Sequence, residues 1–326
     1  MKIGIVGATG AVGRQMIQCI EERGFDVDEL RLFASPRSLG TTIDYLGNPV
    51  GVQVVGDGCF KGLDYVLGAV EADLSEKYAP QIVREGAVFV DNSKHFRLLP
   101  EVPLVIPEIN GEDAKHNSGI ISNPNCSTII TCMAVYPISR ISPIKRMIAS
   151  TYQAVSGAGM HGITELEEEI KALSEGKPVT PKTFTKQIAY NCIPLISSLG
   201  DNGYSSEEMK MQNEGRKIMH LPDLKVTCTC VRVPVFRSHA ISVSLECEDP
   251  LDLDAVKAAY GSFPGVELTE DGFPTPLETS DLDTVYVGRI RRDLVFDGGV
   301  ALWCCGDQIR KGAAANAVQI IEYLEK

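Results

Sequence analysis

A glycine-rich turn near the amino terminus restricts the fold more than any other segment of this 326-residue chain. Lys2 to Val6 is a short apolar run, Gly7-Ala8-Thr9-Gly10-Ala11-Val12-Gly13 follows at once, and an amphipathic stretch from Arg14 to Arg23 ends at Gly24. This order predicts a strand, a glycine turn and a helix whose first amides could hold a pyrophosphate. The spacing is G-x-x-G-x-x-G rather than G-x-G-x-x-G, so the glycines alone are moderately specific for a dinucleotide. The flanking strand and helix favour a dinucleotide site over a purely structural turn.

A second apolar run, Leu30 to Ala34, ends where an NAD-binding chain usually carries an acid for the ribose hydroxyls. The run continues instead into Ser35-Pro36-Arg37-Ser38, which contains no acid. Arg37 and the hydroxyls of Ser35 and Ser38 suit the 2′-phosphate of NADP. The sequence therefore favours NADP over NAD, with an ordinary polar loop as the alternative.

Length, charge and cysteine content exclude several classes of protein. At 326 residues, 44% of them hydrophobic, the chain can bury a large core and is expected to form two domains. A net charge of −12 disfavours nucleic acid and membrane as partners, although a few arginines can still attract an anionic substrate. Without an export signal or a membrane-spanning run, we expect a cytoplasmic protein. Its ten cysteines are then expected to be reduced thiols, and their spacing predicts no metal site.

Alternating strands and helices predict a doubly wound α/β first domain. Its later strands are expected at Val66–Val70, Ala87–Asp91 and Gly119–Ser122, with a helix at Asp73–Glu85. After about Lys145 the pattern changes to longer strands of an antiparallel or mixed sheet. These strands are expected at Arg146–Ala154, Lys225–Val235, Ala240–Glu248 and Val285–Arg292, and helices at Thr164–Glu175 and Ser206–Met219.

We therefore expect a Rossmann-type domain over residues 1–125 and an α+β, mixed-sheet domain over residues 126–310. The last segment, Lys311 to Leu324, has the pattern of an amphipathic helix. Such a helix could return to cover the first domain, so that residues 311–326 would complete it.

Cys126 is a candidate nucleophile. In Ser122-Asn123-Pro124-Asn125-Cys126-Ser127-Thr128, a turn formed by Pro124 and Asn125 precedes an apolar helical stretch, Thr128 to Tyr136. The amides of a helix's first turn favour negative charge and keep part of a thiol as thiolate. A buried thiol packed as a small hydrophobe explains the residue equally well, and the dinucleotide-binding amino terminus favours the catalytic interpretation.

His239 is the histidine best placed to act with this thiol. It ends the run Arg232-Val233-Pro234-Val235-Phe236-Arg237-Ser238-His239, so a guanidinium and an imidazole share one predicted strand and turn. A thiol converts an unreactive acyl group into a thioester that can accept hydride. Arg232 could hold a substrate carboxylate while His239 handles protons at the reacting carbon. The alternative is a structural histidine.

Together these residues resemble one family, the aspartate-semialdehyde dehydrogenases. The resemblance extends over essentially the whole chain, and its most specific parts are the Asn-Cys-Ser-Thr core and the Gln-Ala-Val-Ser-Gly run. The matching segments are Gly7–Gly13, Asp91–Ser93, Ser122–Thr128, Gln153–Gly159 and Arg232–His239. The resemblance implies a Rossmann-type NADP-binding domain, a mixed-sheet catalytic and dimerisation domain, and a homodimer built through the second domain.

The family pattern implies a role for each matching residue. Cys126 would form an acyl-thioester, His239 would be the acid and base, and Gln153 would orient the substrate or intermediate. Four charged residues would contact the substrate, the carboxylate being held by Arg232, the phosphate by Arg97 and Lys210, and a further group by Glu207. Without the family pattern, Arg97 and Lys210 would be interpreted as solvated surface charges. NADP would be contacted by Thr9, Gly10, Ala11, Val12, Arg37, Ser38, Ser156 and Gly157, and its nicotinamide end by Asn316.

The reaction that the resemblance implies is the NADPH-dependent reductive dephosphorylation of L-aspartyl-4-phosphate to L-aspartate-4-semialdehyde and phosphate, an early step towards lysine, methionine and threonine. Two alternatives remain. The N-acetyl-γ-glutamyl-phosphate reductases share the fold and the thioester chemistry but have a Gly-Cys turn in place of Asn125-Cys126. A non-catalytic NADP-binding paralogue would need neither thiol nor imidazole, whereas this chain has both.

Overall fold

The computed structural model describes all 326 residues, and their contacts divide the chain into two units. Unit 1 comprises Met1–Asn125 and Gly312–Lys326, and unit 2 comprises Cys126–Lys311. Each unit contains one sheet. None of the helices has the length and hydrophobicity needed to cross a membrane.

Unit 1 is built on a seven-stranded sheet. Its elements are β1 (Lys2–Val6), α1 (Ala11–Glu22), β2 (Glu29–Phe33), β3 (Thr42–Tyr45), β4 (Asn48–Gln53), β5 (Tyr65–Gly68), α2 (Ala72–Arg84), β6 (Val88–Asp91), α3 (Pro107–Asn110), β7 (Ile120–Ser122) and a C-terminal helix, Ala315–Leu324. The strand order is β3-β4-β2-β1-β5-β6-β7, and all neighbours are parallel except β3 and β4. The predicted doubly wound α/β fold is confirmed for this unit.

Both faces of the unit 1 sheet are covered, as a parallel sheet requires. On one face Ile5 of β1 lies in a hydrophobic cluster with Met16 of α1 and Ile320 of the C-terminal helix. On the other face Val6 clusters with Ile82 of α2. The C-terminal helix therefore forms part of the core of unit 1, although it is the last element of the chain.

Unit 2 holds a six-stranded mixed sheet. Its elements are α4 (Cys126–Ser139), β8 (Ile144–Gln153), α5 (Met160–Ser174), α6 (Ser206–Ile218), β9 (Lys225–Arg232), β10 (His239–Cys247), α7 (Leu253–Tyr260), β11 (Val266–Leu268), α8 (Pro276–Thr279), β12 (Val285–Arg292) and β13 (Val300–Gly306). The strand order is β11-β12-β13-β10-β8-β9. The pairs β8–β9 and β11–β12 are parallel and the others are antiparallel, which confirms the predicted mixed sheet.

Several boundaries differ from the predicted ones. Helix α1 begins at Ala11 rather than Arg14, and β9 ends at Arg232 rather than Val235, where Pro234 has no N–H to donate to a ladder. The predicted helix from Lys311 begins as a wider π turn, Arg310–Ala314, before the α-helix proper. The hairpin β3–β4 and the buried strand β13 were not predicted. Strand β13 is a short continuous apolar run, a pattern that strands share with buried helix segments.

The turn between β1 and α1 brings backbone close to backbone. Gly7 has a φ of +86°, and a Cβ at this position would lie 2.2 Å from the carbonyl oxygen of Ala69. A Cβ at Gly13 would lie 2.3 Å from the carbonyl oxygen of Gly7, whereas one at Gly10 would lie 3.4 Å from the same atom. Packing therefore requires the first and third glycines but not the second.

We expect Gly13→Ala to lower the free energy of unfolding by about 1–3 kcal/mol, because the added methyl forces backbone apart in a packed turn. Gly10→Ala, the matched control, should cost less than about 1 kcal/mol. Urea denaturation followed by circular dichroism measures both. Equal losses in the two variants would contradict the assigned packing.

Candidate active site

Three polar residues meet at one end of the unit 2 sheet. Gln153 is the last residue of β8, Arg232 is the last of β9, and His239 is the first of β10. The parallel register of β8 and β9 sets Gln153 directly opposite Arg232. In the antiparallel pair, Ala240 lies opposite Tyr152, so His239 comes next to the end of β8. Sheet pairing therefore assembles residues that are far apart in sequence.

Cys126 faces this group from the start of α4. It is the first residue of the helix, which begins two residues before the predicted Thr128, and its Sγ lies 3.6 Å from Nε2 of His239. The thiol is partly exposed, whereas His239 is fully buried. A thiol at a helix amino terminus lies where negative charge is favoured. The pair has the proximity that a sulfur nucleophile and its imidazole partner require.

The imidazole is held by the backbone of the next segment. Nδ1 of His239 accepts a hydrogen bond from the N–H of Ala154 at 3.1 Å. Burial and the nearby Arg232 guanidinium lower the pKa of His239 to about 3, against a smaller opposing effect of Glu207. The imidazole is therefore neutral at physiological pH.

Arg232 is a buried cation beside the thiol. Its Nη1 donates to the carbonyl oxygen of Ala154 at 2.5 Å, and its Cζ lies 5.8 Å from the centre of the Phe184 ring. Burial lowers the pKa of Arg232, while the negative charges of Cys126 and Glu207 raise it. Arginine nevertheless stays protonated in proteins, so the site keeps one fixed positive charge.

Glu207 and Lys210 lie near the amino terminus of α6. They form an ion pair of 2.7 Å, and both side chains are largely buried. The other carboxylate oxygen of Glu207 accepts from the amide of Gln153 at 3.4 Å, and that amide nitrogen is also 3.4 Å from Nε2 of His239. Hydrogen bonds and close contacts therefore connect five of the predicted site residues within unit 2, which are Cys126, His239, Gln153, Glu207 and Lys210.

Arg97 and Asn316 belong to unit 1, where both brace the loop that precedes the nucleophile. Arg97 donates from Nε to the carbonyl oxygen of Asn123 at 3.0 Å and from Nη2 to that of Asn92 at 2.9 Å. Asn316 is fully buried, and its amide donates to Val105 O at 2.9 Å and to Asn123 Oδ1 at 2.7 Å. Both side chains thus have structural contacts, in addition to any contact with a ligand.

The predicted nucleotide turn of unit 1 has the form that phosphate binding requires. No side chain caps the amino terminus of α1, which begins with Ala11 and Val12 after Gly10. The hydroxyls of Thr9 and Ser38 lie 3.5 Å apart, so the glycine turn adjoins the loop after β2. In that loop Ser35 and Arg37 are exposed, and Pro36–Ser38 forms a single helical turn. Gly7 has no Cβ, which lets the turn pack against the carbonyl oxygen of Ala69.

Comparison with known proteins identifies the family. Residues 2–117 match the semialdehyde dehydrogenase NAD binding domain, and residues 135–311 match the semialdehyde dehydrogenase dimerisation domain. Aspartate-semialdehyde dehydrogenases of Synechocystis sp. and Aquifex aeolicus are each 45% identical to this chain, over 99% and 100% of its length and 97% and 98% of theirs.

A solved structure from Vibrio cholerae, aspartate semialdehyde dehydrogenase II complexed with ASA, superposes with a TM-score of 0.98 at 44% identity. The superposition covers 99% of this chain and 98% of that one. The chain belongs to the aspartate-semialdehyde dehydrogenase family. Like other members it is an oxidoreductase, with a nicotinamide dinucleotide-binding domain in the first half of the chain. The family predicted from the sequence is confirmed.

Two residues that the family pattern assigns to the cofactor also hold the active site together. A Cβ at Gly157 would lie 2.8 Å from Nη1 of Arg232, so the lack of a side chain lets the guanidinium approach. The Ser156 hydroxyl donates to the carbonyl oxygen of Phe236 and accepts from the amide of Gln308. These contacts tie the turn after β8 to the segment before β10.

Gln308 is a residue of the site that the sequence did not reveal. Besides the Ser156 hydroxyl, it binds the backbone N–H of Ser238 through Oε1 at 2.8 Å. Ser238 has a φ of +70°, a conformation that costs free energy for a residue other than glycine, and its hydroxyl pairs with Thr279 at 2.6 Å. Gln308 lies in the run Gly306-Asp307-Gln308 at the end of β13, and nothing in this run indicates that it lies near His239. The pairing of β13 with β10, which sets Gly306 opposite His239, brings them together.

We expect Cys126 to react with iodoacetamide about 10-fold faster than Cys192 at neutral pH, although Cys192 is the more exposed thiol. The helix terminus and Arg232 stabilise the Cys126 thiolate, which is the reactive species. Cys132, on the same helix, is 1% exposed and burial raises its pKa, so it should not react. Peptide mass spectrometry after timed quenching measures all three. Equal rates for Cys126 and Cys192 would remove the argument for an activated thiol.

Proposed function

We propose that this chain catalyses the NADPH-dependent reductive dephosphorylation of L-aspartyl-4-phosphate to L-aspartate-4-semialdehyde and phosphate, a step of lysine, methionine and threonine biosynthesis. The observation that carries the proposal is the 3.6 Å contact of Cys126 Sγ with His239, beside the buried Arg232. Such a site suits a substrate with an acyl phosphate at one end and a carboxylate at the other. The sulfur can attack the acyl carbon, and the fixed cation can bind the carboxylate. Family membership and the ASA-bound Vibrio cholerae relative support the same substrate.

In the first step we propose that the Cys126 thiolate attacks the acyl carbon and expels phosphate. Arg232 binds the substrate carboxylate, because a guanidinium matches a carboxylate with two parallel hydrogen bonds. Gln153, between Glu207 and His239, orients the acyl group.

The substrate's other charges suit the ion pair of α6. We propose that Glu207 binds the substrate ammonium and that Lys210 turns to the phosphate. The ion pair between the two side chains is then replaced by one ion pair from each side chain to the substrate. Arg97 is proposed as the second cation for the phosphate. Its Nε and Nη2 already hold backbone carbonyls, so its position is preset before substrate binds.

In the second step the thioester carbon of Cys126 is reduced, and NADPH supplies the hydride when it is bound. We propose that Gly7, Thr9, Gly10, Ala11, Val12 and Gly13 hold the pyrophosphate and that Ser156, Gly157 and Asn316 complete the cofactor site. We propose that His239 is the acid and base of this step, and collapse of the reduced adduct then releases the aldehyde and restores the thiolate.

We propose a homodimer that forms through the open face of the unit 2 sheet. Ile148 and Tyr152 of β8 are 42% and 39% exposed, and Trp303 of β13 packs beside Tyr152 on the same face. Apolar side chains on an exposed sheet indicate a protein partner, and the match to a dimerisation domain supports a second copy. We also propose that the enzyme acts in the cytoplasm, because all ten cysteines are free thiols.

We expect the protein to reduce NADP in the presence of aspartate semialdehyde and phosphate, and Cys126→Ala to lower kcat by more than about 10³-fold. Cys132→Ala is the matched control and should keep its activity, because that thiol is buried away from the reacting groups. An absorbance assay at the NADPH band measures each. Turnover of N-acetylglutamate semialdehyde in place of aspartate semialdehyde would instead indicate the sister reductase, and activity in Cys126→Ala would refute the nucleophile.

We propose NADP rather than NAD as the cofactor, since Arg37 and the hydroxyls of Ser35 and Ser38 suit a 2′-phosphate. Arg37→Ala should raise the KM for NADP about 10-fold or more, because a charged hydrogen bond contributes about 1.5–3 kcal/mol. The KM for NAD should stay constant and serves as the control. Parallel losses with both cofactors would assign Arg37 to the fold instead.

A further inference from the structure

A segment that contains no helix and no named strand, residues 182–193, contacts Arg232 at two points and is here called the strap. Ile193 exchanges two backbone hydrogen bonds with Arg232, at 2.9 and 2.8 Å. Nine residues earlier in the chain, the Phe184 ring lies over the guanidinium, with its centre 5.8 Å from Cζ. The strap therefore holds the backbone of Arg232 at one end and faces its side chain at the other.

Two carboxylates of α5 anchor the strap. Glu165 accepts hydrogen bonds from the backbone N–H groups of Lys182, at 2.9 Å, and of Thr183. Glu169 accepts those of residues 188–189, at 2.9 and 2.8 Å. Both glutamates are buried, and hydrogen bonds to an ionised group are stronger than those between neutral groups. The strap is thus fixed to the helix at two separate places.

Phe184 lies between these two anchors, and its side chain is packed on the side of the helix. The ring belongs to the apolar cluster that includes Val155 and Leu166. A Cβ at Gly162 of α5 would lie 3.1 Å from Cζ of the ring, so the helix backbone approaches the ring closely. Anchoring and packing together keep the ring in one place over the guanidinium.

The guanidinium needs a second constraint besides its hydrogen bond. Nη1 of Arg232 donates to the carbonyl oxygen of Ala154, and Gly157 leaves space beside the same nitrogen. One hydrogen bond fixes one nitrogen but leaves the guanidinium plane able to tilt. An aromatic ring over one face restricts that tilt, because a guanidinium is attracted to the ring face and stacks on it. Two parallel hydrogen bonds to a carboxylate require such a defined plane.

We propose that Phe184 is a positioning residue for substrate recognition, and that its ring holds the Arg232 guanidinium in the plane that binds the substrate carboxylate. Phe184 acts through Arg232 and not on the reacting atoms. A side chain that is ordered before binding raises affinity, because no further freedom is lost when the ligand arrives. The inference rests on the proposed function, in which Arg232 binds that carboxylate.

Phe184→Leu, which keeps an apolar side chain and removes the ring, is the direct test. Ordering one flexible side chain at the moment of binding should raise the KM for aspartate semialdehyde about 3–10-fold. The kcat should change less than about 2-fold, since the carboxylate contact is made equally before and in the transition state. The KM values for NADP and phosphate should stay constant. Phe184→Tyr retains the ring and should match the wild type.

Two controls separate positioning from a general loss of packing. The aldehyde 3-aminopropanal keeps the amine of aspartate semialdehyde but lacks the carboxylate, so its kcat/KM should be equal in the wild type and in Phe184→Leu. Leu173→Ala loosens the same apolar cluster about 16 Å further along α5 than Gly162, and should lower Tm without raising KM. An unchanged KM in Phe184→Leu, an equal loss with 3-aminopropanal, or an equal rise in Leu173→Ala overturns the proposal.

Fluorinated phenylalanines at position 184 provide a test that keeps the size of the ring nearly constant. Fluorine withdraws electron density from the ring face and so weakens its attraction for a cation. The KM for aspartate semialdehyde should rise from phenylalanine to 4-fluorophenylalanine and again to 3,4,5-trifluorophenylalanine. If Phe184→Leu does not fold, this series decides alone, and a constant KM overturns the proposal. A wild-type protein that does not act on aspartate semialdehyde would refute the proposed function instead, whereas failure of the Phe184 proposal leaves wild-type activity intact.

Discussion

The buried guanidinium of Arg232 controls the electrostatics on which the unit 2 site depends. It favours negative charge on Cys126 and disfavours positive charge on His239, because Arg232 and His239 are both buried and Cys126 lies beside them. In water the same charges would be screened to little effect. For His239, burial lowers the pKa most and the Arg232 guanidinium lowers it further.

The backbone of Ala154 holds both Arg232 and His239. Its carbonyl accepts from Arg232, and its N–H donates to His239. The turn that follows allows the guanidinium to approach only because Gly157 has no side chain. A similar requirement applies in unit 1, where Gly7 leaves space against Ala69. In both units a glycine without a Cβ allows a close approach, by the Arg232 side chain in unit 2 and by the Ala69 backbone in unit 1.

Much of the architecture follows from local patterns. The strand at Lys2–Val6 and the strand at Val285–Arg292 have the predicted bounds, and α4 begins at the predicted turn. The misses have physical causes: β13 is a buried apolar run that lacks a distinguishing period, and the hairpin β3–β4 is short and largely exposed. For the site, the sequence supplied Cys126, His239 and Arg232 as candidates. It could not reveal Gln308, whose contacts depend on strand pairing.

By itself the sequence determined the two-domain α/β organisation, the glycine turn, the position of the thiol at a helix start and the family, because these depend on neighbouring residues and their order. Only the tertiary structure decided which groups share a hydrogen bond or a charge. The register of β8, β9 and β10 places Gln153, Arg232 and His239 together, and the backbone N–H of Ala154 then holds the imidazole. These hydrogen bonds and charge interactions depend on burial and on the distance between remote segments, which local sequence patterns do not encode.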